Sequence, residues 1–153
     1  MAKIIAAAIG IALVAPAAVA AQEASGEAGQ TVSVWEGVFT EAQARRGREI
    51  YPGPCGSCHG RALDGAPDDP DMLPTPPLAR AKFLRDWDGI ALSALFAYTR
   101  TTMPENNPGF LADEEYVDII AYMLSVGGLP AGADELEPDP PSLARVVIRQ
   151  QPR

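Results

Sequence analysis

Both cysteines and the only histidine of this 153-residue chain fall inside residues 51–60, "YPGPCGSCHG", as Cys55, Cys58 and His59. Three chemistries use such residues so close together: a disulfide switch, a metal site and covalent attachment of haem. A thioredoxin-like CxxC opens a helix that follows a strand within a βαβ pattern. Here a helical segment and the pair Pro52 and Pro54 come before Cys55, so that pattern is missing. A closed zinc site needs four ligands, usually as two separated pairs. The chain supplies three Cys and His residues in all.

The third chemistry uses every residue of the cluster. Two thiols three positions apart on a helical turn reach the two vinyl groups of a haem, and the adjacent histidine turns its imidazole to the iron from the same face. The reading is one covalently bound haem c, with Cys55 and Cys58 as thioether donors and His59 as the proximal iron ligand. A flat apolar cofactor also gives a loop-rich chain a core to fold around.

The N-terminus, "MAKIIAAAIGIALVAPAAVAAQE", has one lysine, an apolar run and the small residues Ala18, Val19 and Ala20. This pattern predicts a secretory signal peptide over 1–20, cleaved after Ala20 or Ala21. Residues 4–21 carry no charge and are long enough to span a bilayer, so an uncleaved anchor is the alternative. Either way the folded part lies in the periplasm or is otherwise exported, and haem c is attached after export. A formal charge of -8 argues against nucleic acid and anionic membranes as partners, and favours one with a basic docking patch.

Residues 21–31 are small and polar, the composition of a flexible leader, and order is expected from Val32. "SVWEGVF" reads as short and extended. Thr40 and Gln43 then have capping-box spacing before a helix over 41–51. Residues 61–77 are dense in proline and aspartate and form a long loop without helical or strand period. A second helix follows Asp88 as N-cap, with Ile90, Leu92, Leu95, Phe96 and Thr99 as its stripe. The third is "DEEYVDIIAYMLSV", acidic in its first turn and stopped by Gly127 and Gly128. The fold class is all-α: three to five helices joined by long loops, with a domain over 32–128 and a tail over 129–153 that packs on it or extends from it.

With no second histidine, the other axial position falls to a methionine thioether, which raises the reduction potential. Met1 leaves with the signal peptide. Met123 lies on the apolar stripe of the last helix, where packing is the simpler role. Met72 lies in the loop and is within reach. Met103 has the better setting, between a helix and Pro104, which biases its backbone to an extended form.

Taken together, "CGSCHG", "TTMP", the helix with Gly47 and Tyr51, and "EEYVDIIAYML" resemble a class I c-type cytochrome over residues 32–128. The resemblance implies the cytochrome c fold, with haem c on Cys55 and Cys58, His59 proximal and Met103 distal. It implies a crossing of first and last helices in which Gly47 meets Tyr116 or Ile120. It places Pro77 and Leu78 against the proximal haem side, and lets Trp87 donate to a haem propionate or simply pack in the core. Arg80 is either a propionate partner or solvated. Ala112 departs from the Ser or Thr cap of similar chains.

The expected function is monohaem electron transfer between redox proteins, with no small-molecule substrate, because a filled sixth site leaves no position for one. The chain is therefore expected to be a carrier and not itself an enzyme. The alternative is a haem subunit held in a periplasmic dehydrogenase or oxidase complex, docked through "LARVVIRQ". The leader "SVWEGVFTEAQARRG" resembles that of cytochromes accompanying such dehydrogenases.

Overall fold

The computed structural model describes residues 30–71 and 74–151. The expected signal peptide, nearly all of the leader, and Met72 lie outside the described residues. Six helices form among those described: α1 (Glu41–Ile50), α2 (Gly56–His59), α3 (Arg80–Asp86), α4 (Leu92–Thr102), α5 (Asp113–Val126) and α6 (Pro140–Ala144). The helical fold class holds, with one helix more than the expected upper number. None of the described helices is long and apolar enough to cross a membrane.

The apolar spacing of α5 buries Tyr116, Ile119, Ile120, Met123 and Leu124 together, and the helix ends ahead of Gly128 at φ +83°. Its N-terminus lacks a side-chain cap at Ala112, yet the Glu115 carboxylate reaches back and accepts from the Ala112 N–H at 2.8 Å. Gly47 of α1 brings the two helices together, as the resemblance implies, but its neighbour is different. A Cβ there would lie 1.9 Å from the Asp118 carbonyl oxygen, so the glycine meets the α5 backbone and not the side chains of Tyr116 or Ile120. Arg46 fastens the edge of this crossing: its Nε donates to Asp118 Oδ2 at 2.8 Å and its Nη2 donates to Glu135 Oε2 at 2.7 Å. The guanidinium holds the Glu135 carboxyl below its ordinary range.

Half of the expected capping box forms. Thr40 Oγ1 accepts from the Gln43 N–H at 3.0 Å, but the Gln43 side chain turns inward. Its Nε2 donates to the Leu136 carbonyl at 2.8 Å, and the Leu136 N–H donates to its Oε1 at 2.9 Å. A buried amide needs partners at both ends, and the tail's backbone supplies them. "SVWEGVF" is not wholly extended. Val34–Glu36 make a 3₁₀ turn, with the Ser33 hydroxyl accepting from the Trp35 N–H.

The tail straps the domain. Strand β1 (Val32–Ser33) pairs in parallel with β2 (Val146–Val147), Val32 opposite Val146, a short pairing the sequence did not suggest. The Trp35 indole donates to the Arg149 carbonyl at 2.9 Å. Leu136, Leu143, Val146 and Ile148 are all buried in the chain's own core. The apolar part of "LARVVIRQ" is thus used internally and does not present a docking face. Asp88, expected to cap a helix, instead accepts from the backbone and side chain of Gln150 at 3.1 Å, which lowers its pKa; α4 starts later, after Ala91.

Candidate functional site

The end of α1 builds the platform for the CxxCH motif. The Tyr51 carbonyl accepts from the N–H groups of Cys55 and Gly56, and the Tyr51 hydroxyl donates to the Gly60 carbonyl at 2.8 Å. One buried residue therefore brackets α2 at both ends, through its backbone carbonyl and its hydroxyl, and burial pushes its phenol well above the usual range. Cys55, Cys58 and His59 share this single turn, with the His59 N–H donating to the Cys55 carbonyl at 2.9 Å. Burial, and then the neighbouring Cys58, push the free Cys55 thiol up to about 11.

The proline-rich loop then returns to the histidine. Gly65 sits at φ +83°, where a Cβ would come within 2.2 Å of the Thr75 carbonyl oxygen, so only glycine permits the two strands of the loop to approach. Thr75 Oγ1 donates to the Cys58 carbonyl at 2.8 Å, locking the return. This places the Pro76 carbonyl 2.9 Å from His59 Nδ1. A carbonyl only accepts, so Nδ1 carries the proton, and in the neutral ring Nε2 keeps the lone pair with which it could bind a metal. His59 is itself buried.

A cavity of about 1080 Å³ opens beside this turn. Cys55, Cys58 and His59 line it together with Pro77, Leu78, Trp87 and Met103, so every residue expected at the site is brought to one place. Met103 follows α4 with φ -124° and ψ 146°, the extended backbone expected before Pro104, and is half-buried. Met123 also lines the cavity, although its packing role holds as well: it is 2 % exposed within the core. Among the described residues, the indole N–H of Trp87 makes no hydrogen bond with the protein, while its ring stacks edge-on with Tyr98 at 5.9 Å. Arg80 does not line the cavity; its Nη1 donates to the Ala62 carbonyl at 2.9 Å. Among the described residues, the carboxylates of the lining are Asp86 and Glu105.

Sequence reasoning missed Pro76, whose contribution is a backbone carbonyl and leaves no residue signature beyond the run "TPP". It missed Met123 as a wall residue because an apolar stripe does not say what lies against it. It also missed the hydroxyl of Tyr116, which donates to the Met103 carbonyl at 2.9 Å but reads only as part of that stripe. The size and apolar walls of the cavity, two thiols in its lining and a tautomer-fixed imidazole fit a covalent haem. Bound there, haem supplies a one-electron ferric/ferrous couple.

The chain is 30 % identical over 83 residues to a thiosulfate dehydrogenase from Psychrobacter arcticus, 54 % of this chain but 25 % of that protein's length. The crystal structure of the sulfane dehydrogenase SoxCD from Paracoccus pantotrophus aligns with a TM-score of 0.45 and 19 % identity, over 92 % of this chain and 68 % of that one. Residues 42–123, more than half of the chain, match the family model described as cytochrome c oxidase, cbb3-type, subunit III. The protein belongs to that cytochrome c family, and its cofactor is covalently bound haem c.

Proposed function

We propose that the chain is a free electron carrier outside the cytoplasm, with Cys55 and Cys58 as thioether donors and His59 and Met103 as axial ligands. The observation that carries this reading is one cavity lined by both a tautomer-fixed imidazole and an extended, loop-borne thioether. With both axial positions supplied by the chain, no iron position is left for a substrate. Met103 is favoured over Met123 because Met123 is 2 % exposed and already packed in the core, whereas Met103 is not part of the core cluster. Met72 remains the other candidate of the loop. Pro77 and Leu78 supply apolar contact on the histidine side, and the free indole N–H of Trp87 is available to a propionate.

The reduced protein at neutral pH is expected to keep its spectrum under carbon monoxide. A rapid shift to a carbon monoxide spectrum would mean an open or labile sixth site, and would replace the carrier by a gas-binding or peroxidatic haem.

A second reading, a cytochrome held within a dehydrogenase, is favoured by the match to a stretch of a thiosulfate dehydrogenase. Salt separates the two. A free carrier with a charge of -8 meets a basic partner through screened electrostatics, so its second-order electron exchange with such a partner should slow several-fold between low and physiological ionic strength. Co-purification in a stoichiometric complex, with exchange indifferent to salt, would favour the subunit.

A further inference from the structure

The loop that carries Met103 is closed by one hydroxyl. Tyr116, 1 % exposed in the first half of α5, donates its phenol proton to the Met103 carbonyl at 2.9 Å and accepts from the Gly109 N–H at 3.1 Å. The same oxygen therefore ties the start of the loop to its far side. A second tie, Arg100 Nε to Asp113 Oδ1 at 2.5 Å, closes the base between α4 and α5 but touches neither Met103 nor Gly109. At Met103 the backbone N–H still bonds back to the Thr99 carbonyl, so its own C=O is the first group of the loop to depend on a partner outside α4.

We infer that Tyr116 is the positioning residue that keeps Met103 seated in the cavity, an assignment that rests on reading Met103 as the distal ligand. The ring of Tyr116 is buried in the core on α5, whose crossing with α1 is backbone-tight at Gly47, so the phenol is a fixed point to which the loop is tied. Removing the hydroxyl leaves the ring in place and frees both loop groups. An exogenous ligand that competes with the thioether then meets a smaller resistance.

The test uses ferric holoprotein and imidazole as the competing ligand. Tyr116→Phe is expected to retain the far-red absorption of methionine-bound ferric iron and to bind imidazole about fivefold to tenfold more tightly, the factor for one lost hydrogen bond. Asp118→Asn is the control: it weakens the Arg46 clip at the α1 crossing, lowers stability, and should leave imidazole affinity unchanged. Equal affinity in Tyr116→Phe and the unaltered protein overturns the assignment, and so does an equal gain in both variants, which would mean general loosening. Rapid hydrogen exchange at the Gly109 amide of the unaltered holoprotein, which needs no variant, would overturn it too. If instead the far-red absorption survives Met103→Ala, it is the ligand reading that fails, and the Tyr116 assignment falls with it.

Discussion

Ferric Met103→Ala protein is expected to lose the far-red absorption of a methionine–iron bond, and its reduced form to take up carbon monoxide. Its potential should fall by a sizeable part of the roughly 0.8 V range that axial ligation spans. The thioether is a soft ligand that stabilises ferrous iron, so its loss favours the ferric state. Little else should change. Met103 is half-buried and outside the core cluster, so truncating it removes few packing contacts, and the Met103 backbone bonds to Thr99 and Tyr116 survive an alanine. Met123→Leu is the matching variant, because leucine conserves volume at a core position and typically costs under about 1.5 kcal/mol. It should keep the far-red absorption while lowering stability slightly. An unchanged spectrum in Met103→Ala with a lost one in Met123→Leu would move the ligand to α5. An unchanged spectrum in both would point to Met72.

The haem attachment was legible because three rare residue types occupy one turn, a coincidence that little besides haem c explains. The helices α1 and α5 were legible for a different reason: each has a strong local stop, two prolines in one case and two glycines in the other. Helix α3 was not. It is seven residues long and begins at Arg80 with φ +66°, a start that no cap signal marks. Asp88 was misread because an aspartate before an apolar stripe has the same signature whether it caps a helix or waits for a distant partner. Gln150, 62 residues further on, decided it. The tail follows the same rule. Leu143, Val146 and Ile148 are apolar whether they meet another protein or their own core, and only the strap geometry places them inside. At the site, side chains could be nominated from their chemistry, but the Pro76 carbonyl and the Tyr116 hydroxyl act through loop closure, which is a tertiary event.

Gly47→Ala should be strongly destabilising. The added Cβ would meet three backbone atoms of α5: the Asp118 oxygen at 1.9 Å, its carbon at 2.4 Å and the Ile119 nitrogen at 2.9 Å. Ordinary contact begins at 3.4 Å, so the helices must separate by roughly 1.5 Å at the crossing. No rotamer change relieves this, since none of the three atoms belongs to a side chain. In isolation alanine favours a helix over glycine by about 1 kcal/mol. Overpacking that forces backbone shifts costs typically ~1–3 kcal/mol and occasionally more. Here the overlap is between backbones, and separation also pulls Arg46 from Asp118, so the upper end applies even after the helical gain. A net loss of about 3 kcal/mol should lower the Tm of the ferric holoprotein by roughly 10 °C. A Tm in Gly47→Ala equal to that of the unaltered protein would mean that the two helices do not cross in backbone contact. The platform beneath Cys55 and His59 would then need another support, because Tyr51 caps the end of α1 and α5 carries Tyr116: the close crossing holds the histidine turn and the methionine loop in one frame.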